Sequence, residues 1–231
     1  SSDVCSSDLF TDVSGMMTAD PRIVKNAHFL KTVSYDEVAN MAHEGAKVIH
    51  PRAVEVAHQA HLPMRIRSTW DNVDELGTLV TDKNLSIEHY RTVTGIAHQT
   101  GLTQINLSVN NTEAEKIFKV LAENEVSIDF INISPNQVVF NTSREDGLKA
   151  KKIFEEYNIP VNFVENCVKV SIIGGGMVGT PGVIAKMVTA LSKTGVEILQ
   201  TADSDTTVWI LVTEDNFKLA VNTLHEAFLE N

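Results

Sequence analysis

Two stretches of the chain, Ala114–Phe154 and Ile184–Leu224, carry one pattern of apolar residues at a constant offset of 70 residues. The matching positions are Ala114 and Ile184, Ile117 and Met187, Phe118 and Val188, Leu121 and Leu191, Val126 and Val196, Ile128 and Ile198, Val138 and Val208, and Ala150 and Ala220. A repeat of this length indicates one supersecondary unit that is used twice, and such copies pack together. The C-terminal part therefore has the organisation of a paired sensing module, not of a catalytic one.

Each copy of the repeat is predicted to follow a ferredoxin-like order of elements. In the first copy the periodicity predicts strand, helix, strand, strand, helix and strand at residues 103–109, 112–124, 126–133, 137–142, 144–157 and 161–164. The second copy has the corresponding elements at residues 168–174, 182–194, 196–202, 206–213 and 216–229, without a fourth strand. The run at residues 92–97 has the composition to fill that edge, which would make the first copy an insertion within the second.

Residues 10–82 are predicted to form an α/β layer. Ser34 and Glu37 have the spacing of a capping box ahead of a helix, and Pro51 suits the first turn of a second helix. Residues 64–68 alternate in polarity as a half-buried strand does.

Two short segments are predicted to lie outside the folded regions. Residues 83–91 are polar, and we predict a linker there. Residues 1–9 nearly repeat themselves and have neither a helical nor a strand period. We predict that this start is an artefact of joining or is disordered.

Composition excludes several classes of partner. The formal charge of −11 argues against nucleic acid and against anionic membrane, since both require clustered cations. No apolar run approaches the roughly 20 residues that span a bilayer, and the start lacks the pattern of a secretory leader. Cys5 and Cys167 provide neither a disulfide framework nor metal-ligand spacing, and Cys167 is expected to be a buried, inert thiol. These features predict a cytoplasmic protein without a metal site.

A glycine-rich segment follows the first strand of the second copy. Gly174, Gly176 and Gly179 match the spacing of the dinucleotide fingerprint, with Glu197 as the acidic residue beyond. Only 52 residues follow Gly179, too few for further units of a doubly wound sheet. The loop at residues 174–182 has two other interpretations: capture of a small carboxylate at free backbone amides, or a tight turn at a subunit interface.

Polar and cationic residues also cluster early in the chain. Thr11 and Asp12, then Asp20 and Arg22, then Lys47 follow turn signals at the edge of the predicted α/β layer. Arginine and lysine bind phosphates, and Thr or Asp can bind a ribose or a base edge. Surface turns with solvated cations explain the same pattern.

Several long motifs resemble the aspartate kinases. They are Thr11-Asp12-Val13-Ser14-Gly15-Met16-Met17-Thr18-Ala19-Asp20-Pro21-Arg22, Gly45-Ala46-Lys47-Val48-Ile49-His50-Pro51-Arg52-Ala53, Arg65-Ile66-Arg67-Ser68 and Gly77-Thr78-Leu79. The C-terminal repeat, with Ile131-Asn132-Ile133-Ser134-Pro135 and Gln200-Thr201-Ala202-Asp203-Ser204, resembles the paired ACT domains of that family. The likeness is strongest to the diaminopimelate-sensitive enzymes of Bacillus-type bacteria and extends over practically all of residues 10–231.

The resemblance implies an α/β fold class: the C-terminal part of an amino-acid-kinase (carbamate-kinase-like) domain, followed by two ferredoxin-like ACT domains. In that arrangement residues 102–165 form the first ACT copy, inserted in the second, which comprises residues 92–101 and 166–231. The implied reaction transfers the γ-phosphoryl group of ATP, with Mg²⁺, to the β-carboxylate of L-aspartate, the entry step to lysine, threonine, methionine and diaminopimelate.

The resemblance also implies roles for individual residues. The nucleotide would contact Thr11, Asp12, Met17, Arg22 and Lys47. None of the family's N-terminal lysine segment, aspartate-binding residues, or catalytic lysine and aspartate is present, so we assign no catalytic residue and expect this chain alone to be inactive.

Feedback is the mechanism that the resemblance implies for the repeat. A pathway amino acid (meso-diaminopimelate first, then lysine, then threonine) would bind Ser127, Ile128, Asp129 and Asn132 in the first copy and Met177, Thr180, Gly182 and Gln200 in the second. A homodimer through the ACT domains is expected. The alternative is a non-enzymatic ACT regulatory subunit that binds a separate catalytic chain.

Overall fold

The computed structural model describes residues 7–72, 74–82 and 92–230, and it divides into two compact units. The first unit contains the described residues up to His98 and those from Val170 onward. The second unit is Gln99–Lys169. Cys5 and the linker predicted at residues 83–91 lie outside the described residues, and the domain boundaries proposed from the sequence stay a prediction.

A four-stranded sheet with two helices forms the early part of the first unit. Its elements are β1 Ser7–Thr11, β2 Thr32–Ser34, α1 Tyr35–His43, α2 Pro51–Gln59, β3 Met64–Ser68 and β4 Thr78–Thr81. The strand order is β1-β3-β4-β2, with β1 parallel to β3, β2 parallel to β4, and β3 antiparallel to β4.

Local sequence signals set both helices where they were predicted. The Ser34 side chain accepts from the Glu37 amide and the Glu37 side chain accepts from the Ser34 amide, so the capping box is formed. Pro51 opens α2, and the His50 ring caps it by accepting from the Arg52 amide.

The start of the chain differs from the prediction. Ser7, Asp8 and Leu9, expected to belong to an irregular or disordered start, pair in register with Met64, Arg65 and Ile66. These residues form a strand because they pair with β3, which is more than 50 residues away in the sequence. A short window of sequence does not reveal such a partner. The rest of the predicted irregular start, residues 1–6, lies outside the described residues.

The second part of the chain contains the two repeat copies. Its elements are β5 Gly95–Leu107, α3 Asn111–Glu123, β6 Asp129–Ser134, β7 Gln137–Ser143, α4 Arg144–Glu156, β8 Asn162–Ile173, α5 Val183–Lys193, β9 Gln200–Asp203, β10 Thr207–Thr213 and α6 Glu214–Leu229.

Two pairs of predicted strands are continuous strands in the structure. The runs at residues 92–97 and 103–109 join in β5, and those at 161–164 and 168–174 join in β8. Gly101 and Asn166 have φ values of 75° and 56°, so each makes a local irregularity without ending its strand. The gaps that the prediction left between these strands are therefore wrong: each pair is one strand with an irregularity inside it.

Within each unit the strands of the repeat follow an order typical of the ferredoxin-like fold. In the second unit the order is β6-β7-β5-β8, over a core that contains Ile105, Leu121, Phe140 and Phe154. In the first unit β10 lies between β9 and the end of β8, and the Thr94 amide donates to the Ile173 carbonyl at 2.7 Å. The first residues of β5 thus lie beside the end of β8.

Candidate functional site

The loop between β8 and α5 is shaped by a close approach of two backbones. A Cβ on Gly174 would lie 2.3 Å from the Thr92 carbonyl oxygen, so only glycine fits there. Two turns follow: the Met177 amide donates to the Gly174 carbonyl, and the Thr180 amide donates to the Met177 carbonyl. Gly182, with φ 93°, is the N-cap of α5 and is itself uncrowded.

A cavity of about 320 Å³ opens beside this loop within the first unit. The lining residues are Thr92, Val93, Thr180, Pro181, Gly182, Val183, Lys186, Phe228 and Leu229. Lys186 supplies a cation, with its Nζ 4.9 Å from the centre of the Phe228 ring. The cavity therefore offers a positive charge next to an apolar wall, which suits a small molecule with an anionic head group and a carbon chain.

The structure separates the effector residues that were predicted for the second copy. Thr180 and Gly182 line the cavity. Met177 is buried within the loop and is not among the lining residues of the cavity, and Gln200 begins β9. Sequence reasoning missed Lys186 and Phe228, because their helical spacing gives no sign that the end of α6 meets the start of α5.

The effector residues predicted for the first copy lie in the second unit. Ser127 and Ile128 precede β6, and Asp129 and Asn132 flank an irregularity in the pairing of β6 with β7. The Asp129 carboxylate accepts from the Phe130 amide at 2.9 Å. These four residues lie at the start of β6 and just before it, and their side chains are largely exposed.

The residues predicted to contact a nucleotide form two groups. Thr11 donates to the Asp12 carboxylate at the end of β1. Arg22 forms a bidentate ion pair with Asp20, and the shortest nitrogen–oxygen distance is 2.7 Å. The hydrogen bonds from Arg22 hold the pKa of Asp20 below its ordinary value. In the part of the chain that the structure describes, no hydrogen bond or ion pair joins these two groups.

His98 lies next to the second of these groups. Burial lowers its pKa, Asp20 opposes that shift, and the positive charges of Arg22 and Lys47 lower the pKa further. The charges of Arg22 and Lys47, which are 25 residues apart in the sequence, therefore both act on the His98 ring. Met17 lies close in sequence and forms an isolated bridge with Phe29.

The dinucleotide-binding alternative receives no support from the structure. The glycine loop leads through α5 to an antiparallel β9–β10 hairpin, not to the parallel crossover of a dinucleotide-binding sheet. Among residues 7–72, 74–82 and 92–230, no group of three His, Cys, Asp or Glu side chains is arranged to hold a metal ion. Cys167 is buried as predicted, and burial raises the pKa of its thiol.

Known proteins resemble both parts of the chain. Residues 6–68 match the amino acid kinase family, and residues 162–226 match the ACT domain. Aspartokinase 1 of Bacillus subtilis (strain 168) is 45% identical over 229 residues, which cover 96% of this chain and 56% of that protein. This chain is a homologue of the aspartokinases. It spans about half the length of the curated aspartokinases that it matches.

Solved aspartokinases share the fold. The aspartate kinase of Clostridium acetobutylicum matches with a TM-score of 0.85 at 30% identity, over 96% of this chain and 54% of that one. E. coli aspartokinase III in complex with aspartate and ADP matches with a TM-score of 0.79 at 25% identity, over 98% of this chain and 52% of that one. The same E. coli protein has also been solved with lysine and aspartate, in a T-state, with a TM-score of 0.76 at 25% identity over 97% of this chain and 52% of that one.

The aspartokinase homology agrees with the mixed α/β architecture that the sequence predicted. In the described ranges, none of the helices combines the length and the apolar composition that crossing a bilayer requires.

Proposed function

We propose that this chain is the nucleotide-binding edge and the feedback-regulatory region of an aspartate kinase, which converts ATP and L-aspartate to 4-phospho-L-aspartate and ADP. The homology to aspartokinases over 96% of the chain carries the proposal. The match of residues 6–68 to the amino acid kinase family favours an enzyme over a separate ACT regulatory subunit.

The residues of this chain act on the nucleotide by electrostatics. The charges of Arg22 and Lys47 both act on the His98 ring, and transfer of a phosphoryl group requires positive charge where negative charge develops. Thr11 and Asp12 offer a hydroxyl and a carboxylate to the rest of the nucleotide. Because the described residues contain no cluster of metal ligands, none is assigned to the Mg²⁺ that accompanies ATP.

The effector is an amino acid that ends the pathway: meso-diaminopimelate, lysine or threonine. The complex of E. coli aspartokinase III with lysine supports control by an amino acid in a relative. In the first unit the cavity beside Thr180 and Gly182 fits an α-carboxylate near Lys186 and a carbon chain along Phe228. In the second unit the residues from Ser127 to Asn132 are the second location.

We also propose that the protein acts in the cytoplasm as a homodimer. Exposed apolar side chains support pairing of copies: Ile131 and Ile133 on β6, and Ile184 and Val188 on α5. Exposed strand edges and apolar faces invite association of this kind.

Calorimetric titration of the purified chain with the three amino acids tests the regulatory proposal. Saturable binding of one of them is expected. Lys186→Met should weaken that binding by about tenfold, equivalent to about 1.4 kcal/mol, whereas Lys193→Met, at the exposed far end of the same helix, should leave it unchanged. A folded chain that binds none of the three contradicts the proposal, and equal binding by both variants contradicts the role of the cavity.

A further inference from the structure

On two sides of the cavity, the residue that follows the lining residues in the sequence begins a hydrogen-bonded link to the early part of the chain. One wall is Thr92–Val93, and the next residue, Thr94, donates to the Glu37 carboxylate at 2.6 Å. The other wall is Phe228–Leu229, and the next residue, Glu230, contacts Nδ1 of His225 at 2.9 Å. All of these residues belong to the first unit.

The first link ends on the N-terminus of α1. One carboxylate oxygen of Glu37 accepts from the Ser34 amide and hydroxyl, as the capping box requires. The other oxygen accepts from Thr94 and, at 3.2 Å, from the Gly175 amide in the glycine loop. A single carboxylate thus holds the helix cap, the cavity wall and the loop together.

The second link ends on Thr18, next to Met17. The His225 side chain is fully buried, with Nε2 2.9 Å from the Thr18 hydroxyl oxygen. That oxygen accepts from the His28 amide at 3.1 Å and also lies within hydrogen-bond distance of Nε2. Because the Glu230 carboxylate can only accept, Nδ1 of the ring donates to it.

The segment that contains Thr18 is also hydrogen-bonded to the start of β5. The Thr18 carbonyl accepts from the Ile96 amide at 2.7 Å, just beyond the Thr92–Val93 wall. Because a buried polar group that loses its hydrogen-bond partner is destabilising, a displacement of either cavity wall should also displace the residues that are hydrogen-bonded to it.

We propose that Glu37 and His225 are positioning residues that transmit occupancy of the cavity to the cap of α1 and to the segment Met16–Asp20. A ligand that displaces Thr92–Val93 shifts Thr94 and with it Glu37, and one that displaces Phe228–Leu229 shifts Glu230 and with it the His225–Thr18 contact. The ligand then favours one arrangement of the residues around Met17 and Arg22, which is the differential interaction that coupling between two sites requires. This inference rests on the proposed function, since it takes the cavity as the effector site.

Hydrogen exchange of the chain, with and without the amino acid that binds, tests the inference. We expect the ligand to change exchange at the cavity walls and also at residues 16–20 and 34–38. Thr94→Val removes the first link and Glu230→Ala removes the second, each without adding volume. In each variant the ligand-dependent change at the linked segment should fall below about half of the wild-type change.

Matched controls separate transmission from general loosening. Thr206→Val removes a 2.7 Å hydrogen bond from Asn40 on the same helix α1, away from the cavity lining. Glu226→Ala removes an exposed carboxylate from α6. Both controls should keep the wild-type response.

The outcomes distinguish the inference from the proposed function. If none of the three amino acids binds the wild-type chain, the proposed function fails and the inference with it. If one binds but exchange changes only at the cavity, or only in the second unit, the regulatory function stands and the inference is wrong. If Thr94→Val and Glu230→Ala respond as the wild type does, the two links do not transmit the signal.

Discussion

At the scale of single residues, Glu37 shows how a capping residue acquires a second role. Burial alone would raise the pKa of its carboxyl group, but hydrogen bonds from Thr94, the Ser34 amide, the Gly175 amide and the Ser34 hydroxyl outweigh that effect. The pKa of Glu37 therefore lies below its ordinary value of 4.5, and the carboxylate is charged at neutral pH.

Replacement of Glu37 by Gln should make stability less dependent on acid pH. A carboxyl group whose pKa is lowered by folding stabilises the protein above its ordinary pKa, and this contribution is lost as the pH falls through the folded value. Urea unfolding should be measured at pH 7 and at steps down to pH 3. The wild type should have the larger free energy of unfolding at neutral pH, and its difference from the variant should shrink below about pH 4.5. A constant difference across that range would contradict this account.

Gly174→Ala should be strongly destabilising because its Cβ would collide with the backbone of Thr92 and Val93. The expected cost is about 2 kcal/mol or more, in the range of overpacked interiors. Gly195→Ala is the control: its φ is 75°, but nothing lies within 4 Å of the added atom, so only backbone strain of about 1–2 kcal/mol applies. Denaturant midpoints of the two variants test this order, and an equal loss would contradict the steric argument.

At the scale of elements, α4 contains a glycine for a reason that helix propensity does not give. A Cβ on Gly147 would lie 2.9 Å from both Cβ and Oγ1 of Thr103, which faces it from β5. The helix therefore lies closer to the strand than an alanine would allow.

Gly147→Ala should lower the melting temperature of the protein. In an exposed helix the same change stabilises by about 1 kcal/mol, whereas here the collision reverses the sign. Lys152→Ala on the exposed side of α4 should change stability by less than about 0.5 kcal/mol. A rise in melting temperature for Gly147→Ala would show that α4 can move away from β5.

The helix cap of α1 makes a further prediction at this scale. Ser34→Ala removes the hydroxyl that accepts from the Glu37 amide and donates to the Glu37 carboxylate. The expected loss is about 1 kcal/mol, typical of a lost N-cap. Differential scanning calorimetry measures it, and an unchanged melting temperature would show that Thr94 and Gly175 hold Glu37 without the cap.

At the scale of the whole molecule, the chain should form no aspartyl phosphate from ATP and aspartate. The chain spans about half the length of the aspartokinases that it matches, and phosphoryl transfer needs positioned charge on every side of the moving group. Trapping with hydroxylamine is the measurement, with a full-length aspartokinase as the positive control. Product above background from this chain would overturn the prediction.

Local signals were sufficient for much of this molecule. The capping box at Ser34 and Glu37 and Pro51 at a helix start depend only on neighbouring residues, and the 70-residue repeat shows when the sequence is compared with itself, so the sequence predicts all three directly. The matches to the amino acid kinase family and to the ACT domain, and the 45% identity to Aspartokinase 1 of Bacillus subtilis, agree with the resemblance that the motifs indicated.

The candidate site was only partly predictable. Thr180 and Gly182 carry a visible glycine-proline signal, and both line the cavity. Lys186 and Phe228 carry none, since they meet only when α5 packs against α6.

The sequence by itself determined the repeated unit, the helix starts and the resemblance to aspartokinases, because periodicity, caps and motifs can be recognised without knowing which surfaces pack together. Tertiary structure alone decided that β5 and β8 run through Gly101 and Asn166, because partner strands override a local turn conformation. It also decided that Glu37 binds Thr94 and that His225 binds Thr18, 207 residues away. Such contacts depend on which surfaces pack together, and no pattern within one segment encodes that choice.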